Sequence, residues 1–555
     1  MASKEKTFYD YIVVGAGTAG CIVATRLTED ASISVLLLEA GSNNVNDYRV
    51  RSPGHVINTR GSEIDWSYKT VPQKYALKGY KDNVCVWPRG KVLGGSSSIN
   101  GMSWVRGHYT DYDSWAKQGC TGWDWESVEG YFQKSENFMI EKPIKASTRC
   151  AIDITTHPFH RTESSQAFVK AGVELGHAEV DINSGQNIGF GAFPAAIDFN
   201  GERSSTATGY LHKVIGRHNL KVLTEVHVTK ITFESNAATG VVVRQSGEQR
   251  VYTARKEVIL CGGAVNTPQL LMLSGVGPKE HLEDIGIECI ADLPVGKNLQ
   301  DHLQLQLKAD VKPGSDVYTC EKIKTDTNTS EVTAFIRSPL EITNEWPDYQ
   351  ITARPMFYLF GLMAPKLFPI RDPRFRPFMG FDRAIGDVVG REGYTYQVIG
   401  LHPRSTGEIL LKDADPMSYP IIDPRYLEDK RDVDVMVEGI RLARKIAETE
   451  AMRPFEMKFV DLNMPGNIHS EWSDENLADV VRHFAWTIFH PIGTCKMGGC
   501  NDRTAVVSPD LRVRGLRNLR VVDASIMPHL TSGNTVAPTI MIGEKGADMI
   551  KRIYM

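Results

Sequence analysis

The chain has 555 residues, more than one hydrophobic core usually holds, and at roughly 100–200 residues per domain it should form about two to four structural units. Its 63 basic and 67 acidic residues leave a formal net charge of -4 with no basic run, which argues against a nucleic-acid partner. Hydrophobic residues at 42% and charged residues at 23% are the balance of a soluble globular protein, and no stretch of 18 or more apolar residues marks a transmembrane segment.

The first readable element is Tyr11–Val14, a short apolar, β-branched run of the kind that forms a buried parallel strand. Gly15-Ala16-Gly17-Thr18-Ala19-Gly20 follows, then a helical stretch from Thr18 to Glu29 and a second buried strand, Ser34–Leu38, ending at Glu39. This is a βαβ unit. Further on, Glu257–Cys261 reads as a strand running into Gly262-Gly263 and a helix over Thr267–Leu273. Leu519–Val522 is a strand ending at Asp523, and Pro538–Ile550 is a helix with proline near its first turn. A nucleotide-binding domain with a parallel sheet is therefore expected from residues 1–150, 216–305 and 491–555. Residues 151–215 and 306–490 alternate short strands with polar turns and are expected to form a second lobe on a separate, mostly antiparallel sheet. The nine cysteines are scattered without a CxxC pair, so neither a disulfide framework nor a metal site is expected. No apolar leader core follows Met1, and the expected location is cytoplasmic or another intracellular soluble compartment.

The glycine loop has the context its chemistry needs. Glycines allow a tight turn and let a pyrophosphate approach the backbone, and the helix N-terminus supplies N–H donors and a positive dipole end. Glu39 falls 19 residues past Gly20, where a carboxylate can accept from both ribose hydroxyls and repel a 2′-phosphate. The motif does not separate NAD from FAD; its N-terminal position leans toward FAD.

Four later blocks decide between them. Arg89–Gly101 (RGKVLGGSSSING), Gly263–Gly277 (GAVNTPQLLMLSGVG), His490–Gly498 (HPIGTCKMG), and Asp523–Pro528 with Ser532-Gly533-Asn534 and Ala537-Pro538-Thr539 resemble, in order, the signatures of the glucose-methanol-choline oxidoreductases. The resemblance spans nearly the whole chain and is nearest in flavour to choline dehydrogenase-like FAD alcohol dehydrogenases and oxidases. It implies an α/β fold: a Rossmann-like FAD-binding domain with a parallel sheet, plus an α+β substrate-binding domain.

The same resemblance implies a place for individual residues. FAD would lie along Gly15, Gly17, Thr18, Ala19 and Gly20, with Glu39 and Ala40 at the ribose. It would be held further by Arg89, Gly90, Leu93, Gly94, Ser97, Asn100 and Gly101 of the first signature, by Val226 and Gly263, and by Asp523, Ala524, Asn534, Thr535 and Pro538 near the C-terminus. Asp523 would stand near the ribityl chain, or else cap its own turn. The helix beginning at Pro538-Thr539 would point its positive end at the flavin. Covalently flavinylated relatives carry histidine where this chain has Ile99, so non-covalent FAD is expected.

Alcohol oxidation removes a proton from oxygen and a hydride from carbon; only a cofactor accepts the hydride, and a histidine suits the proton. By resemblance His490 is the base and Asn534 hydrogen-bonds and orients the hydroxyl, with a small-molecule alcohol as substrate and oxygen or another electron acceptor as oxidant. Glu331, Ile488 and Phe489 are expected in the substrate pocket, although Glu331 also reads as an ordinary strand glutamate. Trp486, Met356, Phe357 and Tyr358 read more readily as core than as pocket wall. Ile492-Gly493-Thr494 replaces the Ser-Cys-Thr usual in choline dehydrogenases, so choline itself is not the expected substrate. Other members of the family are cyanohydrin lyases or fatty-acid photodecarboxylases, and these are the alternatives in other classes; the histidine block argues against the second.

Overall fold

The computed structural model describes residues 8–44, 46–139, 149–155, 162–315, 331–342, 345–354, 371, 393–464 and 468–554. Two seven-stranded sheets organise them. In the first, the opening strand Phe8–Val14 lies between Val35–Leu38 and the long strand Glu248–Leu260, parallel to both. Leu220–Leu223 extends this sheet on one side, parallel to Val35–Leu38. The apolar runs are continuous because both faces are covered: Tyr11 to Val13 and Val35 to Leu37 are fully buried.

Glu248–Leu260 is 13 residues long where only its end, from Glu257, was expected as strand. Its first half is polar and pairs antiparallel with Ala237–Gln245, which pairs in turn with His227–Glu234. Its apolar last residues, Val258–Leu260, pair parallel with Leu519–Val521 near the far end of the chain. The strand thus belongs to an exposed ribbon at one end and to the buried parallel sheet at the other.

The helix expected over Thr267–Leu273 begins earlier, at Gly263. That leaves Pro268 inside the helix, unable to donate to the carbonyl of Ala264. The hydroxyl of Thr494 takes the vacant place, donating to Ala264 O at 2.7 Å. Thr18–Leu27 and the closing helix Val536–Tyr554 pack on each other closely enough that a Cβ on Gly543 would lie 3.3 Å from Ala19.

The second sheet runs Lys458–Phe459, Leu303–Asp310, Gly393–Gly400, Tyr349–Arg354, Val332–Ile336, Gly189–Ala192, with Trp486–Thr487 beside Leu303–Gln304. Every pairing in it is antiparallel. Alternation sorts its residues. Leu303, Leu305, Leu307, Tyr349, Ile351, Tyr396 and Val398 join the core beneath the helix Lys430–Ala447. Their neighbours Gln304, Thr352, Gln397 and Ile399 face the other way, into a cavity between the two sheets. No helix among the described residues is long and apolar enough to cross a membrane.

Candidate active site

A cavity of about 300 Å³ lies between the two sheets. At one end it is lined by the turn after the opening strand. Gly15 has φ +96, and a Cβ there would sit 2.6 Å from Cys261 O; a Cβ on Gly20 would sit 1.9 Å from Gly15 O. These two glycines let strand, turn and helix close on one another. Gly17 is the N-cap of the helix Thr18–Leu27 and no side chain caps the first turn, so its N–H groups face the cavity without a side-chain partner. A Cβ on Gly95 would lie 2.7 Å from Gly17 Cα, so the first signature loop packs directly on the glycine turn.

Glu39 lines the same end. Its carboxylate accepts from Ala16 N (2.9 Å) and Gly41 N (2.8 Å), which bonds the end of the second strand to the glycine loop. Burial raises its pKa to about 7 against those two hydrogen bonds. Each oxygen keeps a further lone pair for a ligand hydroxyl. Asp523 is buried in the middle of the cavity wall, accepting from Ser525 N (2.8 Å), Gly263 N (2.8 Å) and Thr267 Oγ1 (2.6 Å). It caps its own turn and the start of the Gly263–Leu273 helix at once.

The signature loop Arg89–Gly101 is rigid by construction. Trp87 and Trp104 on either side are buried and hydrogen-bonded, to Tyr426 Oη (3.1 Å) and Glu136 Oε1 (2.8 Å). A Cβ on Gly101 would meet nothing within 4 Å, so the loop presents bare backbone to the cavity. Ile99 also lines it and carries no nucleophile.

At the other end stand His490 and Asn534, with Asn534 Nδ2 3.2 Å from His490 Nε2. Two unusual backbone conformations place them. Phe489, before His490, has φ +68, rare outside glycine. It is held by Thr487 Oγ1, which accepts from its N–H at 2.6 Å, and by Arg89, whose guanidinium donates to its carbonyl. His490 N donates to Asp301 Oδ1 at 2.8 Å. Gly533, before Asn534, has φ +134, and a Cβ there would strike Val105 Cγ1 at 2.6 Å. Ser532 in turn is pinned by N–H and hydroxyl to the buried carboxylate of Asp111 (2.7 and 2.8 Å).

The hydrogen bonds assign the protons. His302 Nε2 lies 2.7 Å from Leu401 O, an acceptor, so this nitrogen carries hydrogen. His302 Nδ1 is then the acceptor for His490 Nδ1–H, 3.0 Å away. His490 Nε2 is left with a lone pair turned to the cavity, and Asn534 donates to it. Burial, then the charges of His302 and Arg89, holds His490 well below the usual imidazole range; burial lowers His302 to about 4. Both rings are neutral at neutral pH. Asn534 Oδ1 is buried without a hydrogen-bond partner among the described residues, an orphaned acceptor beside His490.

The structure therefore brings most of the expected residues to one cavity: Gly15, Gly17, Thr18, Ala19, Glu39, Ala40, Arg89, Gly90, Ser97, Asn100, Gly101, Val226, Gly263, Asp523, Ala524, Asn534, Thr535, Ile488, Phe489 and His490. Gly20, Leu93, Gly94 and Pro538 do not line it. Glu331 is placed elsewhere. Its carboxylate accepts from Thr162 N (2.9 Å) and Thr162 Oγ1 (3.2 Å) at the start of the helix Glu163–Glu174. A buried glutamate just before the strand Val332–Ile336 and beside a helix N-terminus serves the dipole and the cap, and it does not line the cavity. Trp486 is core, edge-on to Tyr80. Met356, Phe357 and Tyr358 lie outside the described residues.

His302, Asp301, Gln304, Thr352, Arg354 and Gln397 carry no expectation from the sequence. His302 has no local signal, since its partner is 188 residues away. The strand residues have one: Gln350, Thr352 and Arg354 alternate with Tyr349, Ile351 and Ala353 in a strand buried nearly throughout, and a buried polar face implies a cavity.

A Rossmann-like sheet and an antiparallel sheet enclose this cavity, and the sequence comparisons identify the class as an oxidoreductase. The N-terminal GMC oxidoreductase model matches residues 9–304 and the C-terminal one residues 403–543; the chain belongs to this family. It is 38% identical to alcohol dehydrogenase (acceptor) of Pseudomonas putida over 98% of this chain and 96% of that one. It is 37% identical to mitochondrial choline dehydrogenase of Homo sapiens over 99% and 91%. Among solved structures it resembles pyridoxine 4-oxidase from Mesorbium loti (TM-score 0.82, 29% identity, 98% and 99% covered). Formate oxidase of Aspergillus oryzae RIB40 is similar too (0.84, 27%, 100% and 99%).

Proposed function

We propose that the chain oxidises a primary or secondary alcohol to an aldehyde or ketone, with non-covalent FAD as its cofactor. The observation that carries this reading is the Leu401–His302–His490–Asn534 chain of hydrogen bonds, which leaves an unprotonated imidazole nitrogen and an unfilled amide oxygen side by side. The bare glycine turn, the uncapped helix start and Glu39 suit a dinucleotide at the other end of the same cavity. When bound, FAD supplies at N5 the acceptor for the hydride that leaves carbon. Ile99 offers no atom for a covalent link.

The substrate hydroxyl displaces the Asn534 N–H from His490 Nε2, which then takes the hydroxyl proton as the carbinol C–H bond breaks and the C=O bond forms. Asn534 orients the same oxygen by donating to it from its amide N–H, because the hydroxyl's one proton is turned to His490. His302 is a positioning residue: it fixes the tautomer of His490 and keeps Nδ1 from competing for the proton. Asp301 holds the backbone of His490 in place. The relatives named for alcohol and choline oxidation support the reaction class.

Anaerobic mixing of the purified yellow protein with a panel of alcohols tests the proposal. Bleaching of the flavin by at least one alcohol is the expected result, and admission of air then tells oxidase from dehydrogenase. A flavin that no alcohol bleaches would leave the lyase and photodecarboxylase classes standing instead.

A further inference from the structure

The antiparallel sheet turns a polar face to the cavity. There Thr352 Oγ1 donates to Gln397 Oε1 at 2.9 Å, and Gln397 Nε2 donates to Gln304 Oε1. These side chains largely saturate one another. Arg354 ends the strand two residues after Thr352, lines the same cavity, and takes no part in that hydrogen-bonded set. Its Nε is buried with no hydrogen-bond partner, and among the described residues it forms no ion pair. Burial alone shifts it, down to about 10, which leaves it cationic at neutral pH.

Among the described residues the surrounding charge does not compensate it. Arg60 and Arg89 line the same cavity. Arg89 is committed to the carbonyls of Pro88 and Phe489, and Arg60 lies 4.7 Å over the ring of Phe489. Among the described residues of the lining the acidic ones are Glu39 and Asp523, and their oxygens are bonded to backbone N–H groups. A desolvated guanidinium is costly unless an anion meets it, and its planar fork matches a carboxylate in two parallel hydrogen bonds. The neighbouring amides and hydroxyl suit a polar body between that anion and the carbinol.

Resting on the reading of this cavity as an alcohol-oxidation site, we propose that Arg354 receives a carboxylate of the substrate, which makes the preferred substrate a hydroxy acid. The carboxylate takes no part in the reaction. The alcohol carbon loses a hydride to the cofactor, its oxygen loses a proton to His490, and the product is the corresponding oxo acid. Arg354 is a binding residue that selects among alcohols.

The test uses the FAD-loaded full chain and matched pairs: 4-(hydroxymethyl)benzoate against benzyl alcohol, 4-hydroxybutyrate against 1-butanol, glycolate against ethanol. The carboxylated member of at least one pair should reduce the flavin with kcat/KM at least about tenfold higher, and in R354Q that ratio should collapse by about tenfold or more, with R354K recovering part of it. Benzoate, which cannot be oxidised here, is titrated against the flavin absorbance. It should bind the unaltered protein and bind R354Q about tenfold more weakly. Neutral alcohols preferred in every pair, or a ratio and a benzoate affinity untouched by R354Q, would overturn the proposal. Loss of FAD from R354Q with an intact fold would overturn it too, because the cation would then serve the cofactor's phosphates. If no alcohol bleaches the flavin, the oxidation reading fails, yet Arg354-dependent benzoate binding still decides for or against the anion subsite. Should R354Q not fold, R354K and the pair ratios of the unaltered chain decide between the two outcomes.

Discussion

At the scale of single residues, the proposed reaction rests on which nitrogen of His490 is unprotonated. Leu401 O settles the tautomer of His302, His302 settles that of His490, and Nε2 is left as the acceptor. His490→Ala removes the acceptor while leaving the glycine turn untouched. Reduction of bound flavin should fall by about 10²–10⁴-fold with FAD content unchanged, measured by anaerobic stopped flow. Near-normal reduction would mean the proton goes elsewhere. The pH dependence has a definite sign. Burial, His302 and Arg89 hold His490 below the ordinary imidazole range, so its neutral form persists as pH falls past about 6.5. The reductive rate should stay level through neutral pH and drop only well into acid, as the ring finally takes a proton. An acid limb centred near the ordinary imidazole value would show that the ring titrates as if solvated. His490 and Asn534 were legible in the sequence only because whole blocks around them resemble a known family. A histidine before a proline carries no such information by itself, and Glu331, chosen on a similar likeness, is instead bonded to Thr162.

At the scale of elements, the active-site segment also repairs a helix. Pro268 sits in Gly263–Leu273 where no N–H can reach Ala264 O, and Thr494, four residues after His490, donates to that carbonyl. Thr494→Val keeps the volume and removes the donor. The buried carbonyl left unmet should cost about 1–3 kcal/mol, read as a lower urea midpoint with an unchanged slope. A midpoint within error of the parent would mean the helix tolerates the gap. The reading of the helix from Thr267 rather than Gly263 has the same origin. Proline favours the first turn of a helix, and only a hydroxyl from a distant segment allows it further in. The strand Glu248–Leu260 was half legible for a similar reason: its polar first half has no apolar run to announce it, and it is a strand because Ala237–Gln245 folds back on it.

At the scale of the whole molecule, the two ends of the chain are tied together. Arg26 of the first helix makes paired hydrogen bonds to Glu544 of the closing helix, Nε to Oε2 at 2.9 Å and Nη2 to Oε1 at 2.7 Å. Tyr210 and Lys134 complete the ring around that carboxylate (2.9 and 2.8 Å). Glu544→Ala leaves Arg26 buried without its main partner and should cost about 3 kcal/mol, seen as a lower Tm. A Tm unchanged would show that Glu29 and the Cys150 carbonyl, which also accept from Arg26 at 2.9 and 3.0 Å, suffice. The cofactor is expected to be held by shape and hydrogen bonds alone. Acid denaturation and centrifugation should therefore leave the yellow colour in the supernatant. A yellow pellet would require a covalent link that Ile99 cannot make.

By itself the sequence determined the nucleotide unit and the family. Continuous apolar strands, a glycine turn and a carboxylate at a set distance are local patterns, and local sterics and hydrogen bonding suffice to impose them. The tertiary structure alone decided which side chains meet across long separations. These are His302 with His490, Thr494 with Ala264, Glu331 with Thr162, and the polar sheet face at whose edge the buried Nε of Arg354 has no hydrogen-bond partner among the described residues. Such pairings are set by how two sheets close around a shared cavity, and no periodicity along the chain encodes that closure.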